Sequence, residues 1–171
     1  MLSRVIGQDS AKKQLLTAYA NQRLAHAYLI AGEEGFGAEE LALETAKYIL
    51  CSNKDSASCE PCQNCSNCKK ISSFQHPDVH YYFPKLKSTE DEEMRSMLEA
   101  KSEELYYKVK IQGGTLHIGD PEDPEDNSVR GLLGESGLRS YEGNMKIFIV
   151  TFIEDMNAEA TNAMLKVLEE P

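Results

Sequence analysis

The sequence predicts an α/β protein whose mostly parallel sheet is covered by helices on both faces. Three observations indicate this class: two short apolar runs typical of fully buried strands, a glycine-rich turn after the first run, and an amphipathic helical pattern after each run. Alternation of strand, loop and helix favours parallel neighbouring strands. The 171 residues are 41% hydrophobic and 27% charged, which is typical of a folded globular protein rather than a disordered or membrane chain.

The first half of the chain supplies a helix, a strand, a loop and a second helix. Residues 9–23 show a helical period behind Asp9, which is the predicted N-cap. The apolar run 27–31 is the first predicted strand and leads into the glycine-rich turn. Apolar residues then recur at helical spacing over 38–49, which predicts an amphipathic helix.

The second half supplies the other strand and the closing helix. The run 147–153 is the second predicted buried strand, and Asn157 is the predicted cap of the helix that follows. Before them lies an acid-rich segment, about 85–127, with twelve acidic and six basic side chains. We interpret it as a solvated insertion that contains an exposed helix within 87–105 and a hairpin over 109–118.

The net charge of −10 limits the possible partners. Non-specific DNA affinity comes from Lys and Arg that neutralise phosphates, so the charge argues against DNA binding over the whole surface. Lys69 and Lys70 form only a weak basic patch. No stretch approaches the roughly 18 apolar residues that span a bilayer, and the N-terminus lacks the apolar region of a signal peptide. The prediction is a cytoplasmic protein without a membrane partner.

All five cysteines lie within residues 51–68, which favours a zinc site over disulfides in a reduced compartment. Zinc prefers four thiolates in a tetrahedron, and two sets of four fit the spacing. Cys59, Cys62, Cys65 and Cys68 would place four ligands in ten residues, which leaves little chain to close a tetrahedron. Replacing Cys59 by Cys51 gives the longer spacer, and we prefer that set. Four thiolates leave no open position, so the predicted site is structural.

The glycine-rich turn has the glycine spacing of a phosphate loop, G-x-x-x-x-G-K-[ST]. Gly32, Gly35 and Gly37 supply the glycines. The motif needs a Lys for the β- and γ-phosphates and a Ser or Thr for magnesium, but Ala38 and Glu39 occupy these positions. The sequence therefore predicts a degenerate phosphate loop.

Two further features argue against ATP binding. Glu33, Glu34 and Glu39 add negative charge to the loop, and two like charges about 4 Å apart repel by about 4 kcal/mol at an effective dielectric of about 20. An ATPase also needs acids at the end of a buried strand, where this chain has Thr151 and Phe152. We therefore predict no bound ATP and no catalytic residue.

Three segments carry a family resemblance. They are residues 5–42, the cysteine module running into His-Pro-Asp-Val at 76–79, and residues 146–171, which end in Leu-Glu-Glu-Pro. Together they resemble the delta-prime family of bacterial clamp-loader subunits. The resemblance implies an AAA+ nucleotide-binding fold with an inserted zinc module at about 51–68. It also implies the zinc ligands, which are Cys51, Cys62, Cys65 and Cys68.

The function implied by the resemblance is mechanical. Members of the family act as a rigid stator against which ATP-binding motor subunits and the delta subunit move, so that a sliding clamp is placed on primed DNA. Residues 1–171 would be the N-terminal AAA+ domain, with the insertion at 85–127 matching least. The lid, the collar domain and the family's arginine finger would lie beyond this chain.

Residue roles outside these motifs are predicted to be structural. Arg130 and Arg139 are expected at the surface or at helix ends, not as arginine fingers. His76, a possible fifth metal ligand, is expected in a turn because it lies far beyond Cys68 and precedes a proline.

Two other functions compete with the stator. One is an ATP-binding motor-type subunit or an unusual AAA+ NTPase that uses Glu39 and Glu154 around magnesium. The other is a zinc-dependent nucleic-acid-binding module, which the charge of −10 disfavours.

Overall fold

The computed structural model describes residues 1–122 and 127–169. Residues 123–126 of the predicted acidic insertion and the last two residues of the Leu-Glu-Glu-Pro ending lie outside the described residues. The chain forms two compact units. Unit 1 comprises Met1–His76 with Ser102–Tyr106, and unit 2 comprises Pro77–Lys101 with Tyr107–Pro171.

Unit 1 contains three helices: α1 (Asp9–Ala20), α2 (Ala38–Leu50) and α3 (Ser66–Ser72). One apolar cluster holds the first two helices together with the N-terminal segment. Its buried members are Leu2, Val5, Leu15, Leu16, Leu41 and Tyr48. The cysteine module connects α2 to α3, so the predicted metal ligands follow directly from a helix of this core.

Unit 2 contains a parallel pair of strands, β1 (Val79–Tyr82) and β2 (Ile147–Val150). Val79 pairs with Ile147 and Tyr82 with Val150. Three helices, a 3-10 turn and a small core complete the unit. The helices are α4 (Asp91–Glu103, whose last two residues belong to unit 1), α5 (Val129–Ser136) and α6 (Ala158–Glu169), and the turn is Ile153–Asp155. The core comprises Tyr82, Leu116, Val129, Leu132 and Ala160.

The predicted helices form with small changes at their ends. The exposed helix predicted within 87–105 is α4. Asn157 caps α6 as predicted, because its side-chain oxygen accepts the Ala160 N–H at 2.8 Å. Asp9 is the first residue of α1 rather than its cap; the cap position is Gln8, in a left-handed conformation without a side-chain cap bond.

The predicted sheet differs from the structure. Residues 27–31 form no strand; they are irregular, and Leu29 is 76% exposed. An apolar run becomes a strand only when another strand pairs with it, and the described residues contain only the β1–β2 ladder. The second predicted strand ends early, at Val150, because Phe152 turns into a left-handed conformation before the 3-10 turn. The described chain is therefore mixed α/β with a small parallel sheet.

The predicted hairpin over 109–118 is also wrong. The chain does turn where expected, since the Gly114 N–H donates to Ile111 O at 2.9 Å. The two arms do not pair with each other, however. Thr115 bridges to Lys85 and Leu116 bridges to Met156, because Leu116 is fully buried in the core of unit 2.

The turn at Gly114 supports a stability prediction. A Cβ at this position would lie 2.9 Å from Ile111 O, 3.0 Å from Pro84 O and 3.1 Å from Lys85 N, and all three are backbone atoms. We expect Gly114→Ala to destabilise the fold by about 1–3 kcal/mol in urea unfolding. Gly134→Ala is the matched control, because its Cβ would meet nothing within 4 Å inside α5, and it should stabilise by up to about 1 kcal/mol. Equal midpoints for the two variants would contradict the prediction.

Candidate metal centre

Helix ends position the four predicted metal ligands. Cys51 directly follows α2, where the backbone becomes extended, and its side chain is buried. Cys65 is the N-cap of α3, and Cys68 lies fully buried in the first turn of that helix. Cys62 lies in the irregular segment before α3. The local fold therefore turns the chain back so that the end of one helix faces the start of the next.

The structure brings these four cysteines together. Their Sγ atoms all lie within 4.8 Å of one another, and the Sγ atoms of Cys51 and Cys65 are 3.9 Å apart. Zn–S bonds of about 2.3 Å in a tetrahedron place sulfur atoms about 3.8 Å apart. Four thiols with this spacing fit a single zinc ion with only small adjustments. The closed, all-sulfur donor set leaves no ligand position for water or substrate, so the bound metal would supply a cross-link.

Backbone N–H groups point at the sulfur atoms. The Cys62 N–H donates to Cys51 Sγ at 3.3 Å, the Cys65 N–H to Cys62 Sγ at 3.3 Å, and the Cys68 N–H to Cys65 Sγ at 3.4 Å. Such donors stabilise a thiolate, which is the form that binds metal. Burial raises the pKa of Cys65, but N–H groups of Cys68 and Ser52 and bonds from Cys68 and Cys62 outweigh it and lower the pKa to about 6.

The pKa values of the other three predicted ligands shift in different directions. The N–H groups of Asn64 and Cys65 lower the pKa of Cys62. Burial raises the pKa of Cys51 and, more strongly, that of Cys68. A cation at the centre would offset the cost of burying these two thiolates.

Cys59 lies apart from this cluster. Its Sγ donates to Ser56 O at 3.6 Å, and its side chain packs against the apolar core of unit 1. His76 is buried but is not a member of the sulfur cluster. The contact with the core gives Cys59 a packing role, which its sequence spacing alone did not reveal.

A buried polar network adjoins the segment between Cys62 and Cys65, here called the metal loop, and the sequence analysis did not predict it. Glu44 of α2 is fully buried, and its carboxylate accepts from Lys47 Nζ at 2.8 Å, from Gln63 Nε2 at 2.8 Å and from Arg4 at 3.3 Å. A buried carboxylate requires such partners, because an isolated charge is expensive to desolvate. The spacing of Glu44 and Lys47 on one helix face was the only available signal.

The glycine-rich loop leads directly into α2, as predicted. Gly37 is the N-cap in a left-handed conformation and Gly35 has a φ of 81°, so glycine is required at both positions. Ala38 and Glu39 are both half-buried in the first turn, whereas Glu33 and Glu34 are exposed. The loop therefore has a methyl group where the phosphate motif requires a lysine and a carboxylate where it requires a hydroxyl.

The two positions after β2 hold Thr151 and Phe152 in place of the acids that an ATPase would need. Thr151 is buried, and its hydroxyl donates to Tyr82 O at 3.2 Å. Asp155, in the 3-10 turn, is paired with Lys110 at 2.7 Å, and Glu154 lies beside it in the same turn. The ion pair with Lys110 gives Asp155 a structural role.

The remaining basic residues have local roles or lie at the surface. Arg130 in the first turn of α5 donates to Gly119 O, and Arg139 is exposed. Lys69 and Lys70 follow each other on α3. None of the helices in the part of the chain that the structure describes is long and apolar enough to cross a membrane.

Comparison with known proteins places the chain in a family. Residues 7–171 match the sequence model described as DNA polymerase III, delta subunit. The chain belongs to this family. It is 30% identical over 164 residues to DNA polymerase III subunit delta' of Bacillus subtilis, covering 96% of the chain and 38% of that relative. It is also 30% identical over 147 residues to the subunit delta' of Pseudomonas aeruginosa, covering 86% of the chain and 34% of the relative.

A third relative matches a shorter part of the chain. DNA polymerase III subunit gamma/tau of Mycoplasma pneumoniae is 38% identical over 60 residues, which cover 35% of the chain and 9% of that protein. The delta' relatives thus match most of the chain, whereas the chain spans less than two-fifths of their length.

Proposed function

We propose that this chain is the N-terminal AAA+ part of a clamp-loader stator subunit that acts in DNA replication without hydrolysing ATP. The observation that carries the proposal is the glycine-rich loop before α2. It has the glycine spacing of a phosphate loop and leads directly into a helix, but it offers Ala38 and Glu39 in place of the reactive side chains. The extent of the match to subunits named delta', compared with the short match to gamma/tau, supports the same assignment.

The side chains at the loop explain why it would bind phosphate and magnesium poorly. A Lys at the position of Ala38 would contribute a charge-assisted bond to phosphate, and a hydroxyl at the position of Glu39 would hold magnesium. The N–H groups of the helix N-terminus remain, but a helix dipole contributes only about 0.3–1 kcal/mol at an exposed site. Repulsion from three glutamates exceeds that contribution.

In this proposal the cysteine centre holds one structural zinc ion that shapes the module at about 51–68. The partners would be ATP-binding motor subunits and the delta subunit, with the sliding clamp and primed DNA reached through the assembly. The insertion at 85–127 has no assigned role. Residues 1–171 would form one functional domain of a longer protein whose lid and collar follow.

A nucleotide titration tests the central point. We expect a fluorescent ATP analogue with magnesium to show no saturable binding to this chain up to about 1 mM, because the loop lacks its cation and adds carboxylates. The double variant Ala38→Lys/Glu39→Thr restores the motif at the same backbone positions and is the matched control, which should bind more tightly. Micromolar binding with turnover by the parent chain would overturn the stator proposal in favour of a motor-type subunit.

A further inference from the structure

The segment of residues 1–8, here called the N-terminal strap, is anchored to the cysteine module. The Leu2 N–H donates to Cys59 O at 3.1 Å. The Ser3 N–H donates to both carboxylate oxygens of Glu60, at 2.9 and 3.0 Å, and the Ser3 hydroxyl adds a bond of 3.2 Å. Leu2 is fully buried in the core of unit 1. This end of the strap therefore depends on the position of Cys59 and Glu60.

A second anchor reaches the loop between two metal ligands. Arg4 contacts Gln63 Oε1 at 3.4 Å, and Gln63 lies between Cys62 and Cys65. Both side chains also bond to the buried carboxylate of Glu44. The strap, the metal loop and α2 thus share one polar network.

The other end of the strap supports the glycine-rich loop. Gln8 Nε2 donates to Phe36 O at 2.7 Å, and a Cβ on Gly37 would lie 3.6 Å from the Val5 side chain. Val5 O in turn accepts from Lys12 Nζ of α1 at 2.6 Å. Residues of the strap therefore contact the glycine-rich loop at Phe36 and at Gly37.

The part of the module that carries the strap has an unusual backbone. Cys59 and Gln63 have φ values of 55° and 60°, in the left-handed region that non-glycine residues seldom adopt. Such conformations persist only where the surroundings determine them. Cys62 lies within this stretch and Cys65 lies just after it. A metal ion that cross-links the two cysteines would therefore help to hold the left-handed backbone in place.

We propose that the metal centre fixes the conformation of the glycine-rich loop through the N-terminal strap. The proposal rests on the zinc site of the proposed function. With metal bound, the segment 59–63 holds the strap, and the strap holds the loop. Without metal the left-handed turn relaxes, the anchors at Glu60 and Gln63 separate from the strap, and the loop loses its support. The affected surface includes Ile6 and Phe36, whose side chains are 77% and 62% exposed.

Hydrogen exchange of the whole chain, followed by mass spectrometry, tests the coupling. We expect zinc removal by a chelator to speed exchange of residues 1–8 and 32–37 together by about tenfold or more, the factor that corresponds to one charge-assisted hydrogen bond. Residues 147–150 of β2 in unit 2 serve as the internal reference and should not change. Faster exchange in 1–8 without a change in 32–37, or no change in either, would overturn the proposal.

A variant that keeps every ligand separates the strap from the metal. Glu60→Ala removes the anchor of Ser3, so residues 1–8 and 32–37 should exchange faster although zinc content is unchanged. Glu159→Ala, at an exposed position in the first turn of α6, is the matched control and should resemble the parent. Unchanged exchange at 32–37 in Glu60→Ala would overturn the link between strap and loop. A parent chain that binds no zinc would instead refute the metal part of the proposed function, and the Glu60→Ala comparison would still decide the link.

Discussion

The Cys65→Ser variant is expected to bind no zinc, while Cys59→Ser retains about one zinc ion per chain. Cys65 Sγ lies 3.9 Å from Cys51 Sγ and accepts the Cys68 N–H, so it belongs to the cluster in which the four sulfur atoms lie within 4.8 Å. Serine provides a poor ligand for zinc at this position because its hydroxyl stays protonated near neutral pH. Cys59 instead contacts Ser56 and the apolar core.

The energetic effect of losing the metal should be large. Structural zinc sites contribute about 10–16 kcal/mol of apparent binding free energy at neutral pH in small peptides, which exceeds the net stability of many domains. We therefore expect Cys65→Ser to lose the cooperative thermal unfolding of unit 1, whereas Cys59→Ser loses at most about 1–2 kcal/mol from a smaller packing contact. Zinc content by elemental analysis and thermal melts by circular dichroism measure both effects. Zinc retained in Cys65→Ser, or lost in Cys59→Ser, would show that the ligand set is wrong.

Local patterns predicted the helices and the cysteine cluster well. The helical spacing over 38–49 and the Asn157 cap depend only on neighbouring residues, and both appear in α2 and α6. Cys62, Cys65 and Cys68 are three residues apart, so one turn brings them close together. Cys51 was preferred to Cys59 because it leaves a longer spacer before the next cysteine of the set. The structure places Cys51 with the other three.

Strand pairing was harder to predict because it depends on distant partners. The run 27–31 has the composition of a buried strand, but no described strand pairs with it. Val79 belongs to the His-Pro-Asp-Val segment that carries the resemblance, but no sequence pattern predicted that 79–82 would form β1 beside β2. Thr115 and Leu116 pair with Lys85 and Met156 rather than across their own turn. Sequence periodicity indicates that a segment could be a strand, but whether the strand forms depends on a partner that periodicity does not identify.

Asp78 illustrates a residue whose role was invisible in the sequence. Its side chain is fully buried immediately before β1. One carboxylate oxygen accepts the Tyr141 N–H at 2.5 Å, and the other accepts the N–H groups of Glu142 and Gly143, both at 2.7 Å. Its backbone carbonyl also accepts the Ile147 N–H at 2.8 Å, where β2 begins. Asp78 thus connects the start of β1 to the turn that precedes β2.

We expect Asp78→Asn to destabilise the chain by about 3 kcal/mol or more. Hydrogen bonds to a charged group contribute about 1.5–3 kcal/mol each, and asparagine offers one acceptor oxygen while its amide N–H atoms oppose the remaining backbone donors. The turn at 141–143 would lose its anchor, and β2 would lose the contact that sets where it starts against β1. Urea unfolding at neutral pH measures the change in the free energy of unfolding. The dependence of that free energy on urea concentration should be the same for both proteins.

The control separates the buried network from a general loss of negative charge. Asp91→Asn changes the same type of residue at an exposed position in the first turn of α4, where the interaction of a surface charge with the helix dipole contributes about 0.3–1 kcal/mol. A chain of charge −10 gains slightly from losing any one acid, so a drop in stability confined to Asp78→Asn must come from its three N–H donors. Equal unfolding midpoints for the two variants would mean that the turn at 141–143 does not need the carboxylate.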